Sequence, residues 1–249
     1  MNGRPVRSLL TLLLATWLVP LPGIAQPAAS GQTIKPYSAE YRVSMGSLVI
    51  GRANITLRLS DDGQYSYRAY TAPVGLAAVF RKDEITEQSE GRIVDDTIIP
   101  SRYLYTHKRP KRTRQVNLDF NWPASRVANQ TAGSLWSMEI PKGTQDKFSQ
   151  QLALILALGR GDRAAEYQVA DGGLLKSYRY TEVNRELIST ESGEYQTIKL
   201  ARNKDDRPSR ATLWFAPELN YLPVKIAKHE KDGDYVMELI SVTWQDGES

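Results

Sequence analysis

The 249-residue sequence contains no cysteine and only two histidines, His107 and His229. Zero cysteine excludes a disulfide framework, a thiol nucleophile and any cysteine-ligated metal. Two histidines exclude a multi-histidine metal site. Net charge is also scarce, with 32 basic against 28 acidic residues. Setting aside Arg4 and Arg7, which fall in a targeting segment, leaves 30 against 28. A nucleic-acid binder would carry a larger and more clustered surplus, so nucleic acid is not expected as a partner. Long apolar runs are missing beyond the first 25 residues. The longest is Leu152 to Leu158, against the roughly 20 residues that a spanning helix requires.

What is present begins with an address. Arg4 and Arg7 form a positive n-region, Leu9 to Val19 an apolar stretch, and Gly23-Ile24-Ala25 a small-residue cleavage site. The expectation is a signal peptide over 1–25, cut between Ala25 and Gln26. A flexible leader over 26–36, a single β-rich domain over 37–245 and a tail over 246–249 should follow. A large exported chain without cysteine suits a bacterial periplasm, where a free thiol risks mispairing. Asn54-Ile-Thr56 and Asn129-Gln-Thr131 would be glycan acceptors only under eukaryotic secretion, which this composition argues against.

Apolar residues make up 41% of the chain, enough for a core. They recur with period two: Ile55, Leu57, Leu59; Tyr65, Tyr67; Val116, Leu118, Phe120; Tyr235, Met237, Leu239. Successive strand residues face opposite ways, so this pattern gives one dry and one wet face, as in antiparallel sheets. Turn signals such as Asp61-Asp62-Gly63, Asp171-Gly172-Gly173 and Glu191-Ser192-Gly193 separate the runs. Ten or so strands are predicted, hairpin after hairpin. The fold class expected is mainly β, a strongly curved antiparallel sheet or incomplete β-barrel with one main α-helix. That helix is predicted over Asp146–Leu158, capped by Thr144 or Asp146 and stopped by Gly159 and Gly161. Its second half is apolar nearly all round, which suits a helix lying in the hollow of a sheet. A second apolar segment, Val74 to Phe80, reads as a short helix or a loop.

Catalytic signatures are lacking. Gly159-Arg160-Gly161-Asp162-Arg163-Ala164 has glycines at dinucleotide-binding spacing but follows a helix, so it reads as a helix stop. There is no Gly-x-Ser-x-Gly elbow. His107 and His229 read as solvated turn residues. Asp61-Asp62, Asp95-Asp96 and Asp205-Asp206 are adjacent carboxylates beside turns, and neighbours on a strand point apart. No catalytic residue, cofactor or metal is assigned, and an enzyme is not expected.

Two features suit binding. Between two predicted strands, His107 to Arg114 carries Lys108, Arg109, Lys111, Arg112 and Arg114 around Pro110. Such a hairpin suits an anionic headgroup or an acidic protein, or is simply solvated. Val74, Leu76, Val79 and Phe80, joined to Leu152 and Ile155 of the helix and to Trp214, could close one end of a curved sheet around an apolar ligand; packed, they are a lid on the core. The four tryptophans beyond the targeting segment and the 13 tyrosines suit a strand-built core or a lined pocket.

One stretch, Thr212-Leu213-Trp214-Phe215-Ala216-Pro217-Glu218-Leu219-Asn220-Tyr221-Leu222-Pro223-Val224-Lys225-Ile226, resembles the signature of a bacterial exported-protein family catalogued as domain of unknown function 3108. Gly46 to Gly51, Ile99 to Tyr103, Asp119 to Trp122 and Val169 to Gly172 match as well, so the resemblance runs from about Tyr37 to Trp244. It implies no catalytic residues. Its fold is similar to the curved sheets with a plugging helix of periplasmic lipoprotein carriers, an analogy of fold alone. The leading expectation is an exported, non-enzymatic periplasmic protein that binds an apolar or amphipathic envelope component such as a lipid. The alternative is a docking module for another envelope protein through the basic hairpin or a sheet edge. A carbohydrate-active enzyme is the remote third.

Overall fold

Period-two alternation becomes strands. A computed structural model describes residues 34–80, 82–131, 134–204, 207–230 and 233–245. The expected signal peptide, the cleavage site Ala25–Gln26, most of the leader, the tail and Asp205-Asp206 lie outside the described residues. The elements are β1 (Tyr37–Met45), β2 (Leu48–Leu59), β3 (Gln64–Pro73), α1 (Gly75–Phe80), β4 (Glu84–Val94), β5 (Thr97–Arg109), β6 (Arg112–Asn121), β7 (Arg126–Thr131), β8 (Ser134–Glu139), β9 (Gln145–Asp146), α2 (Ser149–Gly159), β10 (Ala164–Asp171), β11 (Leu174–Thr190), β12 (Gly193–Lys204), β13 (Arg207–Ala216), β14 (Leu222–Glu230) and β15 (Gly233–Trp244). A 3-10 turn, Pro217–Leu219, links β13 to β14.

The 15 strands form one open curved sheet, more than the ten expected because short strands such as β7, β8 and β9 extend its edges. Its order is β8 back through β1, then β15 back through β9. Among the described residues, every hairpin is antiparallel, and only the two-residue β9 runs parallel, against Val169 and Ala170 of β10. The first and second halves of the chain meet where β1 pairs with β15, from Tyr37↔Trp244 to Met45↔Tyr235. Tyr41 reinforces that junction by donating its hydroxyl to the Pro223 carbonyl at 2.9 Å. At the opposite seam the sheet curls round on itself. A Cβ at Gly173 would lie 2.1 Å from the Trp136 ring, so only glycine admits the β8 tryptophan against the β10–β11 turn.

Alternate residues line the concave face. Leu57, Tyr67, Ser89, Tyr103 and Leu118 follow one another across β2 to β6 in register, and all are buried. α2 fills the hollow that they bound, with Leu152, Leu154, Ile155, Leu156 and Leu158 buried. Phe148 stacks on Tyr67 at 3.9 Å, and Gln150 accepts a hydrogen bond from Tyr180. The all-round apolar half of α2 is thus enclosed, as its sequence required. The helix starts at Ser149, three residues later than predicted, because Asp146 belongs to β9. Its carboxylate accepts the Phe148 and Ser149 backbone N–H groups at 2.7 Å each, capping the helix from outside it. Gly161, at φ +91°, follows the helix and confirms the dinucleotide-like string as a stop.

Candidate functional site

Antiparallel alternation gives the sheet two ends. One gathers the β1–β2 tip, α1, the β5–β6 hairpin and the β10–β11 turn; the other gathers turns such as 60–63, 95–96 and 122–125. α2 does not fill the concave face at the first end. A hollow of about 610 Å³ opens there, within the range of small-molecule sites. Val43, Ile50, Pro73, Ile85 and Tyr235 supply its apolar lining; Thr71, Asp83, His107 and Arg109 supply its polar groups.

Register explains why these side chains converge. Thr71 pairs with Ile85, Ile85 with His107 and His107 with Arg114, so four strands present one cross-strand row. It lies two steps outward from the buried row of Tyr67, Ser89 and Tyr103. His107 is therefore a strand residue facing the hollow, 13% exposed, and not the solvated turn residue expected. Arg109 Nε donates to His107 Nε2 at 3.2 Å, and Asp83 lies 3.6 Å from His107 and 4.0 Å from Arg109. Arg109 remains 56% exposed at the lip.

Deeper in, the concave face holds a closed polar network. Ser89 donates to Asp146 at 2.6 Å, and Tyr65 lies 3.0 Å from the Ser89 hydroxyl. Ser149 donates to Gln145 at 2.8 Å, and Gln145 in turn donates to the Ile98 carbonyl at 2.9 Å. Burial pushes the Asp146 carboxyl up to about 6, against the lowering effect of its hydrogen bonds. Tyr103 donates to Glu87 at 2.5 Å. A smaller cavity of about 70 Å³ sits in the seam between β6 and β10, where Arg114 and Lys147 face Asp171. Lys176 at 2.7 Å and Tyr178 at 3.1 Å bond Asp171, and although burial alone would raise its carboxyl, these groups with Lys147 hold it below the ordinary value. Among the described residues, no three His, Asp or Glu side chains are grouped as a metal ion needs.

The ligand-lining residues expected from sequence are not brought together. Leu152 and Ile155 are buried in the packed middle of the sheet, at 0% and 3% exposure. α1 stands at the lip with Leu76, Val79 and Phe80 at 76%, 68% and 85% exposure, away from α2. Val74 precedes it, its backbone N–H reaching the Ile50 carbonyl at 3.4 Å. Trp214 pairs laterally with Lys199 and Lys225, lies under both ammonium groups and donates to Glu186 at 2.5 Å. Strand alternation puts it opposite Leu213, so it packs on the outer face.

The cationic residues lie along the β5–β6 hairpin, with Arg109 and Arg114 on its inward-facing side. Lys108 and Arg109 close β5, Arg112 and Arg114 open β6, and Pro110 and Lys111 form the tip. Sequence reasoning missed Val43, Ile50, Asp83, Ile85, His107 and Tyr235. The one available signal was the alternation Tyr103, Tyr105, His107, Arg109, which continues the inward-facing row. Asn129 is wholly buried on β7 and closed to a glycan.

Residues 40–240 match the family described as "Protein of unknown function (DUF3108)". The chain belongs to that family. No curated protein matches the sequence. Among solved structures, a beta-barrel-like protein of domain of unknown function DUF1849 from Brucella abortus superposes with a TM-score of 0.57 at 12% identity, covering 86% of this chain and 99% of that one. At that identity the likeness is one of fold. A protein from Parabacteroides distasonis, provisionally named a lipoprotein, is 10% identical with a TM-score of 0.30, covering 86% of this chain and 98% of that one. No helix among the described residues is long and apolar enough to cross a membrane.

Proposed function

We propose that this family member is a non-enzymatic periplasmic binding protein for an amphipathic envelope component, held in the hollow at the open end of the sheet. The observation that carries this reading is the 610 Å³ left unfilled there, with an apolar lining and an arginine at its lip. A core that only needed covering would be filled by side chains, as α2 fills the middle of the same sheet. The apolar walls suit an acyl chain, and Arg109 suits a phosphate or carboxylate head.

The test is native mass spectrometry of the chain purified from the periplasm of a Gram-negative host, with lipid extraction in parallel. A bound amphiphile is expected. Thr71→Trp fills the hollow with a good strand former, and occupancy should fall at least about tenfold. An unchanged circular dichroism spectrum and melting temperature show that the variant still folds. Ligand-free wild-type protein, or equal occupancy in the two proteins, overturns the reading.

A further inference from the structure

The same end of the sheet carries most of the exposed large apolar side chains among the described residues. Leu48 and Val49, at the β1–β2 tip, are 53% and 41% exposed. Leu76, Val79 and Phe80 on α1 are more exposed still, and α1 packs beside β2. Across the mouth, Leu135 on β8 and Leu174 at the β10–β11 turn are 74% and 62% exposed. Away from that end, Val94 is 41% exposed beside the Asp95-Asp96 turn, and Val183 and Leu187 on β11 are 58% and 53% exposed. Isolated exposed aliphatics need no explanation, but a collection gathered at one rim does.

The basic hairpin stands in that rim, between α1 and β8 in the strand order. Two anions, Asp83 and Glu84, approach its base, pairing with Arg109 at 4.0 Å and Lys108 at 3.8 Å. Lys111 and Arg112, at the tip, form no ion pair among the described residues. Lys82 adds a further exposed cation between α1 and β4.

We infer that this rim docks on the surface of a bilayer rich in anionic lipid, with Leu48, Val49, Leu76, Val79 and Phe80 entering the headgroup layer and Lys111 and Arg112 meeting phosphates. Charge complementarity selects that occupant. Apolar side chains share the mouth with Lys82 and the cationic hairpin tip, and the combination follows the rule for peripheral membrane contact. The apolar residues sit on separate tips and one short helix without forming a continuous groove. A fluid surface accommodates such an arrangement, whereas a protein partner needs matched shape. Docking would point the hollow at the leaflet, but it rests on the rim's own composition and does not need the hollow occupied.

Co-sedimentation of the purified chain with vesicles tests this, comparing phosphatidylethanolamine with 30% phosphatidylglycerol against pure phosphatidylcholine. Binding to the anionic vesicles alone, weakening with salt, is expected. Each lost cation near an anionic surface costs about fivefold, so Lys111→Glu with Arg112→Glu should reduce binding on the order of 25-fold or more. Leu76→Ser with Phe80→Ser should reduce it at least about tenfold. All four side chains are exposed, so melting temperatures should hold. Thr71→Trp should bind vesicles like the wild type, which separates this proposal from the filling of the hollow. Absence of vesicle binding, which would leave the rim to a protein partner, overturns it. So does binding that neither pair of substitutions reduces.

Discussion

Asp146 ties a buried serine of β4 to the head of α2. Its carboxylate serves Ser89 from β4 and two N–H groups at the head of α2. Its folded pKa of about 6 lies above the ordinary carboxylate value. The folded state therefore holds this proton more tightly than the unfolded chain does. The associated stability is complete below about pH 4 and is lost as pH rises through 6. Asp146→Asn keeps an oxygen for the two N–H groups but cannot titrate. The wild-type minus variant difference in unfolding free energy should fall by about 2 kcal/mol between pH 4 and pH 7, measured by urea denaturation at each pH. A flat difference would remove Asp146 as the titrating group. In sequence, Asp146 was legible as a helix cap. Its burial was not, because Ser89 lies 57 residues away.

At the scale of elements, the β-hairpins and the apolar helix were legible because each is written locally. A strand alternates with period two, and α2 carries apolar residues on every side. Leu152 has no exposed surface, and Leu152→Ala should cost about 3 kcal/mol through lost contacts and an unfilled cavity, read as a lower urea midpoint at unchanged slope. A cost near zero would mean that α2 is not packed in the sheet. The short α1 was read as helix or loop, and its partner was misassigned. Val74 to Phe80 and Leu152 to Leu158 look alike as apolar strings, yet one is exposed and the other buried. Nothing local distinguishes them, since the difference lies in which end of the sheet each reaches.

Across the whole molecule, the N-terminal and C-terminal strands zip together, and β1 joins the two halves of one sheet. Neither half has a core without the other, because α2 packs against β5 from the first and β10 from the second. Unfolding should therefore be one transition. Trp122 and Trp136 report on the first half, Trp214 and Trp244 on the second. Variants retaining either pair should give fluorescence midpoints coincident with circular dichroism, and separated midpoints would show independent halves. The sequence by itself determined the curved antiparallel sheet, the enclosed helix, the cationic hairpin and the family, because alternation, turn chemistry and short motifs are properties of adjacent residues. Only the tertiary structure decided that Thr71, Ile85 and His107 share a row, that α2 stops short of one mouth, and that apolar tips and cations share its rim. Those facts depend on register and strand order, which bring together residues far apart in the chain.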